Sequence, residues 1–291
     1  MIREIAPAKV NLFLHVGQKR ADGYHDLESL VVFADVGDEL GFEDASDLTL
    51  EIKGPFAKEL ESETDNLVLR AARKFAEFTQ IEPQLKVTLI KNLPVASGIG
   101  GGSSDAGAVL RGFSRRWPKR LNLPQLWNLG SVLGSDVPVS VLPGCWWMSG
   151  RGERFASVDN FPVLDAVLAN AGKPVSTAAV YDALTLRHGI GAVKRPPPMT
   201  MIAELHSYLR STANDLEGPA RAICPEIGLC VDSLKRHNAV IARMSGSGGT
   251  CFGIYPDEAQ ARRAADMIAA EHPGWWVTAT KLNRARIWNF Q

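Results

Sequence analysis

Residues Gly98–Ser104 read GIGGGSS, and a helix-period pattern begins at once behind them, with Ala106, Val109, Leu110 and Phe113 recurring at helical spacing. Glycine leaves backbone N–H groups unshielded by a Cβ. The first turn of a helix adds unpaired N–H donors and a partial positive charge. Together these make an anion site, to which Ser103 and Ser104 add hydroxyls and Asp105 a carboxylate suited to the helix dipole. The glycines are not followed by Lys-Ser or Lys-Thr, and G-x-G-x-x-G fits only with serine in the last place, so neither common nucleotide fingerprint applies. By itself the stretch specifies an anion or a tight turn. Gly107, inside the helix, costs ~1 kcal/mol relative to alanine, which a close approach by another segment would justify.

Three other stretches carry chemistry. P-A-K-V-N-L sets Lys9 and Asn11 on one face of a strand. L-G-S-D-V-P puts Asp136 behind a glycine-serine turn, and S-G-S-G-G at 245–249 forms a second glycine turn. Taken singly, Lys9 reads as a solvated lysine on an edge strand, Asp136 as a helix cap and the second turn as a tight hairpin.

The elements that must position these residues mix both periods. Strands are expected at Val10–Val16, with Leu12, Leu14 and Val16 alternating against Asn11, Phe13 and His15, and at Leu30–Ala34, Leu48–Ile52 and Leu85–Ile90. A helix with Leu67, Ala71, Phe75 and Phe78 on one face follows a cap at Thr64 or Asp65, and another carries Leu126, Leu129 and Leu133. The turn formers of 143–155 are expected to close the first half. Beyond them come a strand at 163–170, a helix capped by Ser176 or Thr177, and a loop at RPPPM, 195–199. Three helices, strands on both sides of the second glycine turn, an amphipathic helix at 257–272 and a strand at 275–282 complete the chain. Such a mixture predicts an α+β chain of two domains.

Bulk composition narrows the function. The chain has 291 residues, 45% hydrophobic and 22% charged, with a formal net charge of +0, so a nucleic-acid binder working through a strong positive field is excluded. Cys145, Cys224, Cys230 and Cys251 form no metal-like or CxxC spacing and read as free buried thiols. The N-terminal stretch has no secretory pattern, and apolar runs fall short of the ~20 residues that cross a bilayer. A soluble cytoplasmic protein is expected, with no membrane or nucleic-acid partner.

The combination is more specific than any part. PAKVNL, then PVASGIGGGSSD, then SGSGGTCFG resemble, in order and over nearly the whole chain, the three motifs of the GHMP small-molecule kinases. KVNLFLHVG, RADGYHDL, LGSDVP and PVSTAAVYDAL are similar to the branch acting on a cytidine-diphosphate-linked methylerythritol. The resemblance implies a ribosomal protein S5 domain 2-like N-terminal domain at 1–155 and a ferredoxin-like C-terminal domain at 156–291, with the site between them. It implies an ATP- and Mg²⁺-dependent kinase acting on that small molecule, as monomer or homodimer. By resemblance, Lys9 and Asp136 are catalytic, Asp136 taking the proton of the 2-hydroxyl. Pro94, Val95, Ala96, Ser97, Gly98, Ile99, Gly100, Gly101, Gly102, Ser103 and Ser104 would wrap ATP, with Ser104 a candidate metal contact, while Asn66 and Lys91 would stand near adenine. Asn11, Tyr24, His25, Thr177 and Tyr181 would hold the substrate, the tyrosines stacking on cytosine. Gly107 and Gly248-Gly249-Thr250 depart from the usual alanine-containing forms. The competing readings are a kinase for homoserine, mevalonate or a sugar, and a nucleotide-binding regulator without catalysis.

Overall fold

A computed structural model of the chain describes residues 2–61, 63, 65–184, 195–196 and 202–284. Its spine is a long antiparallel hairpin of β1 (Ile2–Lys19) and β2 (His25–Asp44), joined through the turn that carries Gly23 and Tyr24. Three shifts of register bend β1, between Pro7 and Lys9, Asn11 and Phe13, and Val16 and Lys19. The expected alternation along β1 is absent: Ala6 to Val16 are buried on both faces. Leu12 and Phe13 enter one core with Leu205 and Phe252, while Leu14 and Val16 enter another with Leu216 and Ile227. A strand sandwiched between two layers has no solvent face to produce a period of two.

Around this hairpin, β4 (Leu85–Ile90) pairs antiparallel with β2, and β3 (Thr49–Lys53) pairs parallel with β4. The segment 143–155, expected to be turns, instead contributes β5 (Trp146–Gly150) to β2 and the first half of β6 (Arg154–Ser157) to β5. Its glycines punctuate the strands; Trp146 and Met148 alternate inward onto Val31 and Phe33. Four helices cover the sheet: α1 (Leu67–Thr79), α2 (Gly101–Arg116), α3 (Leu123–Leu133) and α4 (Val137–Val141). The cap of α1 is Asn66, whose side chain accepts from Val68 N at 2.9 Å. Thr64 lies outside the described residues, and Asp65 instead faces Arg70 at 3.6 Å. The buried face is Val68, Ala71, Ala72 and Phe75, leaving Phe78 exposed at the edge of the stripe.

The second half holds β7 (Leu164–Asn170), α5 (Thr177–Asp182), α6 (Ile202–Arg210), α7 (Glu217–Ile223) and α8 (Glu226–Arg236). β8 (Ile241–Met244), β9 (Thr250–Tyr255), α9 (Glu258–Glu271) and β10 (Trp276–Leu282) follow. The strands run antiparallel in the order β10-β7-β9-β8, the split βαβ arrangement of ferredoxin-like units. One pair, Leu282 with Ala34, joins this sheet to β2. Arg195 and Pro196 lie in neither helix nor strand, and 197–199 of the proline segment fall outside the described residues. All four cysteines are free and buried, as expected. Among the described residues no helix is long and apolar enough to cross a membrane.

Candidate active site

The glycine run meets its helix at Gly100, the N-cap of α2, in the left-handed region at φ 63°. The position needs glycine twice over, because a Cβ there would also lie 3.2 Å from Lys9 Cε. Lys9 N donates to Ile99 O at 2.8 Å, which ties β1 to the loop. The second glycine turn lies against the first rather than standing as a free hairpin. Thr250 N donates to Ser97 O at 2.8 Å, Asn11 N donates to Ser245 Oγ at 3.1 Å, and Ser245 Oγ donates to Gly98 O at 3.3 Å. A Cβ on Gly98 (φ 75°) would overlap Gly248 O. Each glycine turn therefore fits only because the other also lacks side chains.

Lys9 is buried, not solvated. Its Nζ donates to Asp136 Oδ2 at 2.7 Å, with side chains 7% and 33% exposed respectively. Asp136 occupies the N-cap position of α4 but caps no N–H with its side chain. The carboxylate has been turned away from the helix it begins and toward the lysine. Both groups line a cavity of about 430 Å³ together with Gly98, Gly100, Gly101, Gly102 and Ser103. Asn66, Lys91 and Pro94–Ser97 form another part of its wall, and Thr177 and Ser247 approach from the second half, their hydroxyls 2.7 Å apart. Ile99 and Ser104 are not on this wall: Ile99 is buried in the core, and the Ser104 hydroxyl donates to Pro7 O at 2.6 Å. Asn11 is buried, donating from Nδ2 to Ser29 Oγ at 2.8 Å.

Beneath Gly101 lies a charge cluster that sequence spacing does not reveal. Lys91 Nζ sits 2.6 Å from Asp38 Oδ2 and 2.7 Å from Asp105 Oδ2, all three side chains buried. Asp38 Oδ1 also accepts from Asn92 N at 2.6 Å and Leu93 N at 2.8 Å. Burial works against the Lys91 ammonium, but the Asp105 and Asp38 carboxylates outweigh it and hold Lys91 above the usual lysine range. Burial, reinforced by the Asp38 charge and opposed by Lys91, pushes Asp105 up to about 8. These residues come from β2, the end of β4 and α2, so only the fold assembles them. Asp105 at the head of a glycine-primed helix is the one local clue.

Outside the cavity lining, His25 and Tyr181 approach with ring centroids 5.5 Å apart. His25 Nδ1 lies 3.1 Å from Gly17 O. A carbonyl only accepts, so Nδ1 donates. Burial, then the Asp136 charge, pushes the Tyr181 phenol up to about 12. Tyr24 stands apart, exposed, with the Arg151 guanidinium 4.9 Å from its ring centroid.

Two family patterns match the chain in order: "GHMP kinases N terminal domain" at residues 66–144 and "GHMP kinases C terminal" at 200–274. The chain belongs to the GHMP kinases. Relatives named 4-diphosphocytidyl-2-C-methyl-D-erythritol kinase include a Parvibaculum lavamentivorans protein, 46% identical over 95% of this chain and 96% of its own. One from Paracoccus denitrificans is 46% identical over 98% of both chains. A crystal structure of 4-(cytidine 5'-diphospho)-2C-methyl-D-erythritol kinase superposes with a TM-score of 0.78 at 31% identity, over 98% of this chain and 100% of that one. A mevalonate kinase from L. major shares the fold at a TM-score of 0.72 and 17% identity, over 98% and 97%. The α+β two-domain architecture of this GHMP kinase is that of its family.

Proposed function

We propose that this GHMP kinase transfers the γ-phosphate of ATP to the 2-hydroxyl of 4-diphosphocytidyl-2-C-methyl-D-erythritol, a step toward isoprenoid precursors that bypasses mevalonate. The observation that carries the reading is the Lys9–Asp136 contact of 2.7 Å at the mouth of a glycine loop. Phosphoryl transfer asks mainly for alignment and for charge that meets the transferring group. Asp136 accepts the proton of the attacking hydroxyl. Lys9 orients that carboxylate and neutralises charge on the phosphoryl oxygens.

ATP lies in the cavity, its phosphates against the N–H groups of Gly98–Gly102 and the Ser103 hydroxyl, its base toward Asn66, Lys91 and the Pro94–Ser97 wall. Ile99 serves by holding Lys9 through its carbonyl. Mg²⁺ would find the Ser103 hydroxyl on the cavity wall as a protein contact. Among the described residues no three carboxylate, histidine or cysteine side chains form a cage. Ser103 replaces Ser104 as the hydroxyl facing the phosphates, because Ser104 would have to abandon Pro7 O. The metal supplies charge neutralisation to the phosphates.

Cytosine lies between Tyr24 and Tyr181. With Nδ1 donating to Gly17 O, His25 Nε2 is left as an acceptor for the 4-amino group, which uracil lacks. Thr177 meets the diphosphate and Asn11 lies under the sugar alcohol. Residues 1–155 form the catalytic domain and 156–291 the substrate domain, of a cytoplasmic monomer or homodimer. Turnover with the cytidylated substrate and with its uridylated counterpart tests the reading: the first is phosphorylated, and equal rates with both contradict the His25 assignment.

A further inference from the structure

Arg111 heads the fully buried side chains of the described residues by volume, and it lies on α2 away from the cavity. Its Nε donates to Glu4 Oε2 at 2.9 Å and its Nη2 to Ile5 O, both on β1. From the same guanidinium, Nη1 donates to Ser140 O at 2.5 Å and to Val141 O at 3.4 Å, the end of α4. β1 carries Lys9, four residues beyond Ile5. α4 opens at Asp136 and closes at Val141.

A helix of this length cannot hold itself, and its last carbonyls lack partners within it. One planar guanidinium with several donors satisfies them while gripping the neighbouring strand, which an ammonium on a single stem cannot do. Stability alone is a weak reason for such a group, since apolar residues of similar volume often replace a buried ion pair without loss. Arg115 also reaches Glu4, at Oε1 and 3.0 Å, and is half exposed. Gly107 belongs to the same device: a Cβ there would lie 2.6 Å from Ser140 C, pushing on the carbonyl that Arg111 holds.

We infer that Arg111 is a positioning residue that fixes the Lys9 strand against the Asp136 helix and so sets the rate of phosphoryl transfer. The inference rests on Lys9 and Asp136 being the reacting pair. Its test measures kcat per ATP-analogue-binding site, and KM for both substrates, in full-length Arg111→Lys, Gly107→Ala and Arg115→Ala. Misplacing the pair by a fraction of an ångström to 1 Å predicts a kcat per site lower by about 10- to 100-fold in the first two, with KM for ATP within about twofold of the parent. Arg115→Ala keeps the parental kcat. A purely structural role would lower the folded fraction and melting temperature while each remaining site turned over at the parental rate, and that result overturns the inference. If Arg111→Lys yields no folded protein, Gly107→Ala decides by the same criterion. Failure of the underlying pair would show separately, as turnover surviving in Asp136→Asn.

Discussion

The carboxylate of Asp136 has two employments open to it, and the fold selects one. A capping bond to its own helix is worth about 1 kcal/mol; the structure forgoes it for the Lys9 ammonium. Asp136→Asn keeps the shape and removes the proposed base, so kcat should fall by roughly 10²–10⁴-fold, with ATP-analogue affinity little changed. Lys9→Ala should do the same. Near-normal turnover in a coupled assay of either variant would remove that residue from the chemistry. In the proposed reading Tyr181 serves through its ring and not its hydroxyl. Its phenol is pushed up to about 12, chiefly by burial, so it stays protonated at working pH. Tyr181→Phe should leave the pH–rate profile unchanged, whereas Tyr181→Ala should raise KM for the cytidylated substrate. Tyr24→Ala should raise it too, and unchanged KM in both alanine variants would end the stacking proposal. Lys9 and Asp136 were legible through their motifs, and the resemblance set the two side by side; spacing alone could not, because 127 positions separate them.

Among the elements, the N-terminus of α2 has the densest constraints. Gly100→Ala would force a non-glycine residue into the left-handed region, costing roughly 1–2 kcal/mol, and would press its Cβ onto the Lys9 stem. Reduced thermal stability and weakened ATP binding should appear together. Below the loop, Lys91→Met would leave the buried Asp38 carboxylate without its cation beside Asp105, and breaking such a cluster typically costs about 3–5 kcal/mol, read in chemical unfolding. The same cluster gives stability a pH dependence. Asp105 is held at about 8 in the folded chain and titrates near ~3.9 when unfolded. The folded state therefore binds this proton more tightly. Its stabilisation is complete below about pH 4 and is lost as pH rises through about 8. Asp105→Asn should flatten the fall in melting temperature between about pH 6 and 8; an unaltered slope would assign that fall elsewhere. The glycine loop and its helix could be read from the sequence because glycine content and helical period are local. β5 and β6 could not, since the glycines around Trp146 and Trp147 masked two short strands whose pairing is set by β2.

Across the whole molecule, two glycine turns from opposite halves of the chain close on each other through Gly98, Ser245 and Gly248. The order of the three motifs announced this family, and the α+β class followed from the mixture of periods. What stayed hidden is how the halves meet: β1 is buried on both faces, so its residues report no sidedness, and Arg111 and Lys91 find partners far away in sequence. The superfamily fold is shared by mevalonate and homoserine kinases, so the fold cannot name the acceptor; the residues around His25 and Tyr181 must. The most direct measurement is ATP turnover by the purified chain against a panel of 4-diphosphocytidyl-2-C-methyl-D-erythritol, homoserine and mevalonate, with the product identified by mass and phosphorus NMR. Phosphorylation of the first alone, at its 2-hydroxyl, is expected. Phosphorylation of homoserine or mevalonate, or tight ATP binding with turnover of none, would contradict it.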